Sequence, residues 1–327
     1  MRAGWFEKTG PAAEVIAVGD MDKPVAGPGE VLIRLHASGI NPSDYKRRAN
    51  AKVPPEFPRV VPHSDGAGVV EALGAGVSGL SVGERVWCYN GQWARAMGTA
   101  AEYIALPQRY VKPLPANTSF EEGACFGIPC MTAYHAVHLG GSLKGKTVYV
   151  PGATGRVGAY AVQFAKWRGA RVIASTGSGE AAMAAIRDLG ADLVLDRKSP
   201  DLGARILADT GGRGVDHIVE VDLPGSIGFN ESIIAERGSM VSFGAASAPV
   251  LPVTQVGRRA RNMSLHFIFV YMLDEPTFEA TCAGINEAAA AGALKHRIGG
   301  VFPLERLADA HHMAETTSGT GHVVVTM

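Results

Sequence analysis

Thr147-Val148-Tyr149-Val150-Pro151-Gly152-Ala153-Thr154-Gly155-Arg156-Val157-Gly158-Ala159-Tyr160-Ala161-Val162-Gln163-Phe164-Ala165-Lys166 decides the fold class. A β-branched apolar run enters a glycine turn, and apolar residues at helical spacing follow it. Gly152 and Gly155 let the backbone turn tightly and approach a ligand with no Cβ in the way. Gly158 lets the helix lie close to the strand, and the amides at the helix start can hold a pyrophosphate. Glycines alone are common in such turns; the strand before and the helix after are what a dinucleotide fingerprint requires. Gly152, Ala153, Thr154, Gly155, Arg156, Val157 and Gly158 are therefore candidate cofactor-binding residues.

Outward from this stretch the texture differs on its two sides. Downstream, strand candidates at Val172–Ala174, Leu193–Leu195, His217–Val221, Met240–Phe243 and Leu265–Phe269 alternate with helices at Ala181–Leu189 and Pro200–Asp209. That alternation predicts an α/β fold with a doubly wound parallel sheet. Upstream, short β-branched runs such as Glu30–Ala37, Gly68–Leu73 and Gly83–Cys88 stand between glycines and prolines, and predict a β-barrel-like domain. Helices at Thr277–Ala291 and Leu304–Thr316 and a last strand at His322–Thr326 can return the chain to that domain.

Composition narrows the function. Length alone, 327 residues, suggests two domains. Lys and Arg number 31, as do Asp and Glu, so no net field attracts a nucleic acid. The run Arg258-Arg259-Ala260-Arg261 reads as a solvated helix face. Apolar runs are too short to span a bilayer and the N-terminus has no signal-peptide pattern, which predicts a cytoplasmic protein without a membrane partner. Cys88, Cys125, Cys130 and Cys282 have no metal or disulfide spacing and read as reduced, buried thiols.

Several separate stretches, taken in order, carry a family resemblance: Ser38-Gly39-Ile40-Asn41-Pro42-Ser43-Asp44, Ser64-Asp65-Gly66-Ala67-Gly68-Val69-Val70, Gly98-Thr99-Ala100-Ala101-Glu102-Tyr103, Gly127-Ile128-Pro129 with Thr132-Ala133-Tyr134, and Gly211-Gly212-Arg213-Gly214-Val215-Asp216. Over nearly its whole length the chain resembles the zinc-independent, zeta-crystallin-like quinone oxidoreductases of the medium-chain dehydrogenases/reductases. The resemblance implies a GroES-like catalytic domain (1–123 and 270–327) interrupted by a Rossmann domain (124–269), NADPH as hydride donor, and a homodimer.

Zinc-dependent members of that superfamily carry a cysteine where Asn41 stands and a His-Glu pair where Ser64-Asp65 stands. The thiolate and imidazole that zinc prefers are missing there, so no metal is expected. His63, with Asp65 and His36, offers a set of metal-binding types, but reads better as a packed or hydrogen-bonded histidine. Without a Lewis acid, acceptors that spread the incoming charge into a phenolate or enolate suit the site. A quinone or an α,β-unsaturated carbonyl is the expected substrate. Enoyl-thioester reduction and a non-catalytic, crystallin-like NADPH-binding role are the alternatives.

NAD specificity usually shows as a carboxylate ending the second Rossmann strand, about twenty residues past the glycines. Val172-Ile173-Ala174-Ser175-Thr176-Gly177-Ser178 has none. Ser175, Thr176 and Ser178 can donate to a 2′-phosphate, and Arg197 or Lys198 can add charge. Ala181 and Asp196 replace a lysine and a tyrosine common in relatives. NADPH is the expected cofactor.

Candidate catalytic residues are Asn41, able to donate an amide N–H to a substrate oxygen or simply a turn former, and Tyr45, in the cleft or on a solvent-facing helix. Thr132 resembles the family position near the nicotinamide ribose, or is an N-cap. Gly244 would let the backbone approach the nicotinamide, with Phe269 and Val270 on its other side unless they are core. His322 replaces a C-terminal lysine that many relatives use near the cofactor.

Overall fold

Alternating apolar residues in short strands build the first of two units, which comprises Met1–Pro129, Ile285–Gly292 and His296–Met327. The computed structural model describes residues 1–244, 262–317 and 321–327. Strands β1 (Arg2–Trp5) and β2 (Ala17–Asp20) pair antiparallel, and Ala3 of β1 also bridges to Ala101. β3 (Glu30–Ile40), β4 (Asp65–Leu73), β5 (Arg85–Cys88), β6 (Tyr103–Pro107) and β7 (Val111–Pro113) follow. Val31, Ile33 and Leu35 repeat every second residue along β3 and meet Val70, Val86, Ile104 and Leu106 in one buried cluster.

The second unit, Cys130–Gly284 with Ala293–Lys295, holds β8 (Thr147–Pro151), β9 (Arg171–Thr176), β10 (Leu193–Asp196), β11 (Val215–Glu220), β12 (Ile234–Ser242) and β13 (Ser264–Phe267). They form a parallel sheet in the order β10-β9-β8-β11-β12-β13. This is the Rossmann strand order, and it reverses between β8 and β11, where such sheets bind ligands beyond the strands' carboxyl ends. Leu193, Ile173, Tyr149, Ile218, Met240 and Leu265 stand in register across all six strands. They share one hydrophobic cluster, and each full burial stabilises by roughly 1.5–3 kcal/mol.

β14 (Ile298–Pro303) and β15 (His322–Thr326) then complete the first unit's sheet, in the order β14-β15-β3-β4-β5-β7 with β6 on β3. Helix Leu307–Thr316 turns Leu307, Ala310, His311 and Ala314 inward. The α/β fold with a β-rich domain and a Rossmann sheet is what the sequence predicts. The compact units change at 129/130 and 284/285 instead of at the expected 124 and 270. The later junction moves because the first half of helix Glu275–Ala290 packs in the second unit, where the Cys282 thiol reaches Met131 Sδ at 3.8 Å. Arg258, Arg259 and Arg261 lie outside the described residues.

Candidate active site

The glycine turn sits at the strand-order reversal, directly after β8. Gly152 has φ +63°, a conformation that disfavours a Cβ. Its carbonyl accepts the Gly155 N–H at 2.9 Å, and the Ala153 N–H bonds Ser175 O at 3.2 Å, which ties the turn to β9. A Cβ on Gly158 would stand 2.6 Å from Gly152 O, so the helix can approach the turn this closely only with glycine there. Helix Arg156–Trp167 has Gly155 as its N-cap and therefore no capping side chain. Its amides, at the positive end of the helix dipole, suit an anionic group such as a pyrophosphate. Ala153 and Thr154 are buried, whereas Arg156 and Val157 are partly exposed.

At the end of β9 the hydroxyls divide. Ser175 is fully buried and its Oγ lies 2.7 Å from Tyr149 Oη, so this side chain serves the core. Burial also pushes the Tyr149 phenol up to about 12. Thr176 is buried, accepts the Ser178 N–H at 3.2 Å and lies 3.4 Å from the Thr154 hydroxyl. Of the three proposed phosphate donors only Ser178 is exposed. Arg197 and Lys198 are also exposed and flank Gly177: a Cβ there would come 3.2 Å from Lys198 Cε and 3.8 Å from Arg197 Nε.

Val221 links the turn to the end of β12. A Cβ on Gly152 would meet its Cγ1 at 3.5 Å, and one on Gly244 would collide with its carbonyl oxygen. Pattern reading could not single out this valine. Phe269 is 54% exposed while Val270 is buried, so the two expected partners face different surroundings. Thr132 is buried in helix Met131–His138, whose N-cap is Cys130, which removes the capping alternative. His322 lies buried on β15 in the first unit.

In the first unit Asn41 caps helix Pro42–Ala49 and forms a capping box with Asp44, whose carboxylate accepts the Asn41 N–H at 2.6 Å. Its side chain is engaged too: Nδ2 donates to Asp65 Oδ2 at 2.6 Å. The Ile128 N–H donates to the same oxygen at 2.9 Å. Asp65 is fully buried and its Oδ1 has no hydrogen-bond partner. Burial drives its carboxyl well above the usual range, and the nearby Asp44 adds repulsion, against the pull of the Asn41 and Ile128 hydrogen bonds. Tyr45 is partly buried against the cluster that includes Ile40 and Leu307.

A second polar chain ends on the same residue. Thr99 Oγ1 donates to Asp65 O at 2.7 Å, and Ser38 Oγ lies 2.7 Å from Thr99 Oγ1 and 2.8 Å from His63 Nδ1. His63 Nε2 lies 2.9 Å from His311 Nε2. With the Thr99 proton spent on Asp65, the Ser38 hydroxyl donates to Thr99 at 2.7 Å or to Asp65 O at 3.4 Å, and either choice leaves His63 Nδ1–H to donate to Ser38 and His311 Nε2–H to donate to His63. His63, whose Nε2 accepts, is therefore neutral. Burial lowers the His63 pKa to about 3 and holds His311 well below the ordinary histidine value. His63 thus belongs to a buried chain, and His36 stacks on Phe120 at 4.3 Å.

Positions 41, 64 and 65 do not fit zinc. They offer an amide, a hydroxyl and a carboxyl, and a hydrogen bond already joins the amide to the carboxyl. Among the described residues no group of three or more His, Cys, Asp or Glu side chains is arranged to hold a metal.

Two family models match the chain: the alcohol dehydrogenase GroES-like domain over residues 27–116 and the zinc-binding dehydrogenase over residues 157–283. They define the class, a GroES-like domain joined to a nucleotide-binding dehydrogenase domain. A human quinone oxidoreductase is 30% identical over 324 residues, covering 98% of this chain and 95% of its own. A trans-enoyl reductase from Aspergillus terreus is 34% identical over 256 residues, with coverage of 72% and 83%. Among solved structures, an NAD-dependent alcohol dehydrogenase has a TM-score of 0.87 at 30% identity, with 100% of both chains covered. A mycobacterial protein complexed with NADPH has a TM-score of 0.83 at 29% identity, also with 100% of both covered. The chain belongs to the quinone oxidoreductase branch of the medium-chain dehydrogenase/reductase superfamily, and is an oxidoreductase of that NAD(P)-binding kind.

Proposed function

We propose that this protein is an NADPH-dependent, zinc-independent reductase of quinones or α,β-unsaturated carbonyls. Bound NADPH supplies the hydride. The chain's part is to hold the pyrophosphate at the start of helix Arg156–Trp167 and the 2′-phosphate beside Ser178, Arg197 and Lys198. Hydride addition to the conjugated acceptor leaves negative charge on its oxygen, which Asn41 Nδ2–H meets, and a water proton completes the reduction. The Asn41–Asp65 hydrogen bond is the observation that best supports this reading, because it joins a neutral amide to a carboxyl at two positions where the resemblance implies zinc ligands in zinc-using relatives. The NADPH preference rests on a β9 end without a carboxylate and on two cations beside Gly177. The mycobacterial NADPH complex supports it.

Enoyl-thioester reduction is the second reading, favoured by the likeness to the Aspergillus enzyme. A homodimer is part of the proposal: among the described residues β13 stands at the edge of its sheet, and Phe267, Phe269 and Met272 near it are exposed. A cytoplasmic location is proposed as well; among the described residues no helix is long and apolar enough to cross a membrane. Stopped-flow oxidation of NADPH by quinones, enals and enoyl thioesters tests the activity. Acceleration by conjugated acceptors is the expected result. Tight NADPH binding with no acceptor accelerating its oxidation would instead favour the non-catalytic role.

A further inference from the structure

The Asn41 carboxamide is held with unusual completeness for a residue at a helix start. Its oxygen serves the capping box, and its main-chain N–H is taken by Asp44. One Nδ2–H goes to Asp65. An amide nitrogen carries two hydrogens, so one N–H is left to offer a ligand. The capping N–H on the oxygen side and Asp65 on the nitrogen side together fix which way the amide faces; a carboxyl oxygen that accepts two N–H bonds favours the amide nitrogen over the amide oxygen.

The seat of Asp65 is built to hold it there. The backbone at Gly127 leaves helical geometry, with φ −56° and ψ −116°, and the next amide, Ile128 N–H, donates to Asp65 Oδ2. A Cβ on Gly127 would overlap the Asp65 carboxyl, and one on Gly39 would overlap Ala124 O while standing 3.6 Å from Asp65 Cβ. The carboxyl fills a space that Gly127 leaves open. Thr99, bonded to Asp65 O, fixes the main chain below it.

We infer that Asp65 is a positioning residue, which fixes the Asn41 carboxamide so that one Nδ2–H is presented to the developing oxyanion of the acceptor. The catalytic step rests on the function proposed above; the orientation of the amide does not. Oδ2 accepts both N–H bonds whether or not Asp65 is protonated at Oδ1, so an asparagine oxygen can take its place.

The test uses the full chain in three forms: wild type, Asp65→Leu and Asp65→Asn. Nitrogen-15 labelling of asparagine side chains, with the Asn41 signal identified by its loss in Asn41→Ala, reads hydrogen exchange at the amide. In wild type and Asp65→Asn one Asn41 proton should be protected. In Asp65→Leu it should exchange about tenfold faster or more, while the Asn230 amide, bonded to Glu220 at 2.8 Å in the second unit, stays protected. Unchanged Asn41 exchange beside an unchanged Asn230 control would overturn the inference.

Single-turnover hydride transfer gives the second arm. Asp65→Leu should slow it about tenfold or more, Asp65→Asn should restore most of that loss, and in an Asn41→Ala background Asp65→Leu should cost no more than about twofold. Equal slowing in both backgrounds would mean that Asp65 acts through general structure, and would also overturn it. If wild type reduces no acceptor, the functional reading fails, and amide exchange alone then judges the positioning.

Discussion

Lowering the pH from about 8 to about 5 should destabilise the first unit through His63, and replacing that histidine should remove the effect. The ring is fully buried with a pKa lowered to about 3, against about 6.5 in an unfolded chain. A folded-state value below the unfolded one means that the unfolded chain takes up the proton first. Stability is therefore complete above about pH 6.5, declines as the pH falls through that value, and levels off near the folded pKa of about 3. At about pH 5 the protonation advantage of the unfolded state is a factor of roughly 30, or about 2 kcal/mol from this one ring. His311 adds a loss of the same sign, since burial, then His63 and Arg48, hold its pKa down. His63→Gly is the informative variant. His63 has φ +78°, which glycine adopts freely. Relief of that backbone conformation opposes the lost packing, so absolute stability is a poor readout and the difference between the two pH values is the useful one. Urea unfolding followed by tryptophan fluorescence reports on the first unit through Trp5, Trp87 and Trp93. Between the two pH values wild type should lose about 2 kcal/mol more than His63→Gly, or beyond that if His311 is released as well. Equal losses would refute the buried, neutral pair.

Other perturbations address the cofactor and the acceptor. Gly158→Ala forces the Gly152 carbonyl away from a Cβ that would stand 2.6 Å from it; we expect a destabilisation of about 1–3 kcal/mol and at least about tenfold weaker NADPH binding by calorimetry. Lys198→Ala should weaken NADPH about tenfold and leave NADH unchanged in the same titration, because only NADPH has the 2′-phosphate. Asn41→Ala removes the proposed oxyanion donor and should lower single-turnover hydride transfer by about a hundredfold or more, with NADPH affinity kept within about threefold.

Much of the fold is legible because β-branched runs and helical periods alternate after residue 147. Helix Leu223–Ile233 escapes that pattern: Pro224, Gly225 and Gly228 lower its propensity, and Leu223, Ile227 and Ile233 hold it by packing. The glycine turn is legible from local spacing alone. Ser175 misled because an unassigned strand register leaves open which face a hydroxyl takes, and this one turns to Tyr149. Asn41 and Asp65 are 24 residues apart and His63 and His311 are 248 apart, so neither pair carries a local signal. Only the folded sheet and the helix Leu307–Thr316 bring them together.

Direct hydride transfer without a metal is the central claim. Its most direct test is the single-turnover rate of NADPH oxidation by a reducible acceptor, with protonated and C4-deuterated cofactor, before and after dialysis against a chelator. A slower reaction with the deuterated cofactor and the same rate after dialysis are expected. A rate indifferent to the isotope would contradict hydride transfer as the step observed, and a rate abolished by the chelator and restored by zinc would contradict the metal-free site.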